Sequence, residues 1–112
     1  MSALYRLLST ALLLGIGAEF FLAGAGAFGA TSFHSHRLLG MALLVAGILT
    51  FVFAALARRN ARIASGVALL LALQVILGHL GKNHPWIGAV HGLTAALVAA
   101  AASINTRRAM TT

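Results

Sequence analysis

Four long apolar runs leave this chain few ways to fold. They cover residues 7–30, 36–57, 63–80 and 86–104, and the charged residues gather almost entirely between them. A helix rises ~1.5 Å per residue, so a hydrocarbon layer of ~30 Å needs about 20 residues to cross. Each run is near that length. The chain is 61% hydrophobic and only 8% charged, too few charges to cover a water-facing surface. The expectation is an all-α fold, with residues 1–112 forming one integral membrane four-helix bundle. Short connections place successive helices side by side in an up-down-up-down order. The residues from Ala109 on are expected to fray.

The first run competes with a signal peptide, whose apolar region is usually ~7–15 residues long. Residues 7–30 exceed that length and hold an acid, Glu19, near their centre, so they read as the first span. Orientation follows from the basic residues. Arg6, Arg58, Arg59, Arg62, Arg107 and Arg108 fall on one side, against Arg37 and Lys82 on the other. The positive-inside rule then puts both termini in the cytoplasm, in the inner (plasma) membrane of the cell. The formal charge of +7 is explained by the same residues, which flank apolar runs and form no aromatic-interleaved patch. Their expected partner is the lipid bilayer, with its anionic headgroups, and not nucleic acid.

Several chemistries are excluded outright. The chain has no cysteine, hence no disulfide, thiolate metal site or thiol nucleophile. A Ser/His/Asp triad lacks its aspartate, and a catalytic carboxylate pair lacks its second acid.

What remains is histidine. All 5 histidines lie in two stretches, Phe33–Gly40 and His79–His91, which the topology returns to the outer side. His36 opens helix two, and His91 lies about one and a half turns into helix four, so the two sit at similar depth on diagonal helices. Two imidazoles facing each other across a bundle suit a porphyrin iron. Gly40 and Gly92, with Gly78, Gly88 and the Ala23–Ala27 stretch, offer small residues near that level. Small residues also simply let membrane helices pack closely.

The other histidines weigh differently. His34 and His84 belong to the outer loops and read as headgroup contacts. His79, about one turn from the end of helix three, suits a ligand, a propionate partner or a headgroup contact. Arg37, Lys82 and Trp86 form an outer rim whose two cations suit propionates, although such residues also anchor helices at the interface.

Glu19 needs a partner, because an acid at the centre of a membrane helix costs ~3 kcal/mol on insertion scales. Gln74 lies at nearly the same depth on helix three, and Thr94 is one turn inward from His91. A Glu19–Gln74 polar pair is expected, either fixing helix register or handling protons.

Two resemblances sharpen this. His36-Arg37-Leu38-Leu39-Gly40 is similar to the His-Arg-x-x-Gly opening of helix two in each four-helix half of the heme A synthases. Leu73-Gln74-Val75-Ile76-Leu77-Gly78, followed by Val90-His91, is similar to helices three and four there. The agreement runs over roughly residues 33–99. It implies that His36 and His91 are porphyrin axial ligands. Phe33 stands where those enzymes have a glutamate, and this chain has one bundle where they have two. Glu19-Phe20-Phe21-Leu22-Ala23-Gly24 resembles the Gln-Phe-Phe-Leu-Ala-Gly motif of small bacterial four-helix membrane proteins.

The expected function is therefore that of a membrane b-type cytochrome-like protein. It would bind one heme b through His36 and His91, with His79, Arg37, Gly40 and Gly92 around it, for electron transfer or heme handling. A membrane redox partner or a quinone would complete an electron-transfer role, and glycine-rich helix one also suits packing between protomers. Two rivals stay open: a cofactor-free accessory subunit of a larger membrane complex, and a transporter or metal-binding protein using the outer histidines.

Overall fold

A computed structural model describes residues 1–111. Four helices account for nearly all of them: α1 (Ser2–Ala27), α2 (His34–Leu56), α3 (Ala61–Gly81) and α4 (Pro85–Met110). The predicted spans are all present, but their ends are set by local chemistry that hydropathy does not register.

Helix α1 stops at Ala27, short of the predicted 30. Gly29 adopts φ +79°, and the Ala30 N–H turns back to the Ala25 carbonyl at 2.8 Å. Glycine makes that left-handed closure without a Cβ clash. Helix α2 opens at His34, so this histidine is helical and not part of a loop. At its far end Arg58 takes the left-handed position (φ +53°), and the Arg59 N–H reaches the Ala54 carbonyl at 2.9 Å. Pro85 stands in the first turn of α4, as its missing N–H and fixed φ favour.

The other end of α4 corrects an expectation. The helix runs on to Met110, and Ala109 is fully buried instead of fraying. Its contacts explain this. Ala109 packs with Tyr5, Ala54 and Ala64, and its carbonyl accepts from Arg59 Nη2 at 3.2 Å. A cation there also complements the negative end of the helix dipole. Thr112, also expected to fray, lies outside the described residues.

Each helix packs on the next, and α4 returns to α1, while the diagonal pairs α1/α3 and α2/α4 make no backbone approach among the described residues. The α3–α4 closure depends on glycine at position 81, where the chain passes Gly88. A Cβ on Gly81 would fall 2.8 Å from the Gly88 Cα, so any side chain there would drive the two backbones apart. Mid-bundle, Leu12, Ile16, Leu43, Val67, Leu71, Val98 and Ala102 form the core.

The outside of the bundle is as apolar as the inside. Leu14, Phe21, Leu69 and Leu93 are each more than 70% exposed. Helices hydrophobic all round need an apolar surrounding. All four are long and apolar enough to cross a membrane, and the longest dimension of the molecule, 41 Å, exceeds the ~30 Å hydrocarbon layer. This is the build of a multi-pass membrane protein.

Candidate functional site

At the end of the bundle remote from the termini, the four helices enclose a cavity of about 640 Å³. That volume lies within the ~300–1,000 Å³ range of cofactor and ligand sites. His36, Arg37 and Gly40 reach it from α2, Gln74 and His79 from α3, His91 and Gly92 from α4, and Glu19 from α1. With Lys82, these residues line one space, whereas Trp86, expected at its rim, does not. His34 and His84 do not line it, and both are exposed.

The two central histidines face each other across this cavity. Their ring centroids are 6.2 Å apart, with planes at 85°. Both rings are half-buried, and each has its Nδ1 beside a polar group outside the pair. Nδ1 of His91 lies 3.0 Å from the backbone carbonyl of Gln74. Nδ1 of His36 lies 2.9 Å from Glu19 Oε2, an ion-pair distance, but in an alignment that makes no hydrogen bond to that nitrogen.

The expected pairing of Glu19 with Gln74 is thus corrected. The two residues sit on diagonal helices, and each turns to a neighbouring helix instead. Glu19 takes His36, and its buried Oε1 has no hydrogen-bond partner among the described residues. The Gln74 amide meets the Thr94 hydroxyl. Turned with its oxygen toward α4, it also accepts from the Ala95 N–H at 3.2 Å and sets its Nε2 3.1 Å from both the His91 carbonyl and His91 Nδ1. It thereby ties α3 to the turn of α4 that carries His91.

Glycines give these side chains room. The His91 ring lies over Gly78, where a Cβ would come within 3.2 Å of it. At Gly40 a Cβ would stand 3.4 Å from Glu19 Oε2, whereas at Gly92 it would meet nothing within 4 Å. Phe33, not singled out from sequence as part of the site, sets its edge against His36 at a centroid distance of 6.1 Å. Its ring rests where Gly26 has no side chain, since a Cβ there would come within 2.7 Å. No periodicity or motif marks that contact in advance. His79 is more exposed than the central pair and makes no ring contact with it. No group of three or more His, Cys, Asp or Glu side chains is arranged to hold a metal ion among the described residues.

The fold and site together define a small four-helix, multi-pass membrane protein with a histidine-lined cavity at one end. Residues 19–80 match a family of unknown function, DUF6220, and the chain belongs to that family. The matched stretch takes in Glu19, His36, Gln74 and His79 and ends before His91. No curated protein and no solved structure matches the chain.

Proposed function

We infer that this protein is a b-type cytochrome-like membrane protein that holds one heme b between His36 and His91, for electron transfer or heme handling. The observation that carries the reading is the opposed imidazole pair, 6.2 Å between ring centres, over a cavity formed by all four helices. A metal–imidazole nitrogen distance of ~2.0 Å places two opposed ring centres about 6 Å apart on a single ion. The residues present fit that group in three further respects. The cavity walls are largely apolar, Arg37 and Lys82 at its edge suit two propionates, and the open flank at Gly92 leaves space beside His91.

Held by both His36 and His91, such a group would supply electron transfer rather than oxygen chemistry. The chain's own contribution is to hold two imidazoles at a fixed separation, with Nδ1 of His91 beside the Gln74 carbonyl and Nδ1 of His36 beside Glu19. The resemblance of His36-Arg37-Leu38-Leu39-Gly40 and of the Leu73–Gly78 and His91 segments to the heme A synthases supports the same two residues as ligands.

The arginines support an orientation as well. Arg6, Arg58, Arg59, Arg62, Arg107 and Arg108 outnumber Arg37 and Lys82, which favours an up-down-up-down bundle with both termini in the cytoplasm. The histidine cavity then lies toward the outer leaflet of the inner membrane. Reporter tags at the two termini should be reachable only from the cytoplasm, and a tag at Asn83 only from outside. Termini on opposite sides would remove this arrangement.

The decisive experiment is optical. Purified or heme-titrated protein should show a low-spin b-type spectrum. His36→Ala and His91→Ala should each lose the low-spin signal or the heme altogether, and His79→Ala should keep it. A wild-type protein that takes up no heme would leave the cofactor-free accessory role as the better reading. Loss of the signal in His79→Ala but not in His91→Ala would overturn the ligand assignment.

A further inference from the structure

The four seams of the bundle do not close alike. Along α1, Tyr5, Ser9, Leu12, Ile16, Phe20 and Ala23 recur every three or four residues and so share one face. That face is fastened to α4 where Tyr5 bonds to Asn105 and Thr106 bonds to the Ser9 carbonyl. It stays buried as far as Ile16, at 5% exposure, and opens at Phe20, at 48%. The matching face of α4 behaves in the same way. It is buried from Ala109 through Ala102 to Val98, at 3% exposure, and emerges at Gly92, whose flank is empty.

Two of the other seams stay in contact up to the cavity. Between α1 and α2, Glu19 lies against His36, and the Phe33 ring occupies the space over Gly26. Between α3 and α4, His91 lies over Gly78, and Gly81 passes Gly88. The α2/α3 seam brings the basic groups Arg37, His79 and Lys82 to the cavity, whereas α1/α4 is lined there by Phe20, Ala23, Gly92 and Ala95. Phe20 and Gly92 each stand seven residues from the cavity-side ends of their helices, about 10 Å. A bundle 41 Å long in a hydrocarbon layer of ~30 Å projects by about 5 Å at each end. The gap therefore opens among acyl chains.

We propose that the gap between α1 and α4 is a lateral portal through which the cavity takes its ligand from the bilayer, with Phe20 as the gate. The ligand class is a membrane-dissolved amphiphile with an apolar body and anionic groups. The body suits the apolar gap, and the anionic groups suit Arg37 and Lys82 at the cavity edge. On the reading above this amphiphile is heme b; the proposal rests on that reading for its ligand but not for its opening. Such a molecule keeps its charges at the headgroups and its body among the acyl chains. A sideways path preserves that arrangement from bilayer to cavity. Entry from water would first expose the apolar body, at a cost proportional to its area. The half-exposed Phe20 ring stands at the mouth of this path, so it controls the rate of passage and not the strength of the final contacts.

A nitroxide on Phe20→Cys, in full-length heme-free protein in phosphatidylcholine vesicles, reads the opening itself. The chain has no cysteine of its own, so the label has a single site. Oxygen, which dissolves in hydrocarbon, should relax the label strongly, and a water-soluble nickel chelate should relax it weakly. Stronger relaxation by nickel overturns the portal, and so does protection from both reagents, the result if a second copy covers the seam. Heme dissolved in the same vesicles reads the path. The low-spin band should grow about tenfold faster in Phe20→Ala and about tenfold slower in Phe20→Trp, within the span usual for association rates. Release into excess heme-free vesicles should change by the same factors, leaving affinity and spectrum as in wild type. Phe21→Ala, on the exposed side of α1 and outside the cavity, should alter neither rate. Unchanged rates in both Phe20 variants, or a change in release alone, overturn the gate. If the label reports a hydrocarbon opening while wild-type protein takes up no heme, the heme reading fails and the portal stands.

Discussion

The two ends of this bundle are built from similar residues and put to opposite use. At the end that holds both termini, polar side chains close on one another. The Tyr5 hydroxyl donates to Asn105 Oδ1 at 2.8 Å, Asn105 Nδ2 donates to Ser9 Oγ at 3.1 Å, and Ser9 Oγ donates to the Tyr5 carbonyl at 2.7 Å. Thr106 Oγ1 adds a bond to the Ser9 carbonyl at 3.0 Å. All four residues are buried, Tyr5 completely. At the other end, the two histidines make no such closed network. Nδ1 of His91 lies by the Gln74 carbonyl and Nδ1 of His36 by Glu19, and both rings line an open cavity. Buried polar groups that satisfy each other fix a structure. Groups held on one side and open on the other are prepared for something more. The comparison separates a clasp from a socket.

Breaking the clasp should give the largest effect. Tyr5→Ala removes a fully buried aromatic ring and orphans Asn105 Oδ1, and should destabilise the protein by about 3–5 kcal/mol. The check is the unfolding midpoint in a denaturing-detergent titration. Ligand uptake by the protein still folded should not change. A comparable loss of binding would mean that the two ends are coupled.

Filling the socket should do the reverse. Gly92→Leu puts a side chain where a Cβ meets nothing within 4 Å. Stability should hold or rise by up to about 1 kcal/mol, since glycine is a poor helix former. Heme affinity should fall at least ~10-fold, or about 1.4 kcal/mol. Normal binding in this variant would place the ligand elsewhere.

A milder cut at the clasp sharpens its energetics. Tyr5→Phe keeps the ring and removes one interhelical hydrogen bond, worth about 0.6–1.7 kcal/mol in membrane proteins. If this variant lost as much as Tyr5→Ala, the hydroxyl and not the ring would hold the end together. The smallest effect is expected at His84, which is exposed and outside the cavity. His84→Ala should alter neither the unfolding midpoint nor the spectrum, and a changed spectrum would show that the socket extends into the α3–α4 connection.

The sequence by itself determined the four helices, because apolar length and basic punctuation depend only on composition along the chain. It also determined which residues meet at the socket. Depth along a membrane helix can be counted from its ends, so His36 and His91 could be matched before any packing was known. Only the tertiary structure decided which partner each polar group takes. Glu19 and Gln74 share a depth, but they occupy diagonal helices whose backbones do not approach each other, and Glu19 turned to His36 on α2 and Gln74 to α4. The clasp was hidden for the same reason. Tyr5 and Asn105 are 100 positions apart, and nothing local in either segment shows that the first turn of α1 will lie against the last turns of α4. Ala109 was misjudged because nearness to a chain end predicts fraying only when nothing packs there, and here Tyr5, Ala54 and Ala64 do. Depth is a one-dimensional property that a sequence carries, whereas the rotation of each helix about its axis is set by all its neighbours at once.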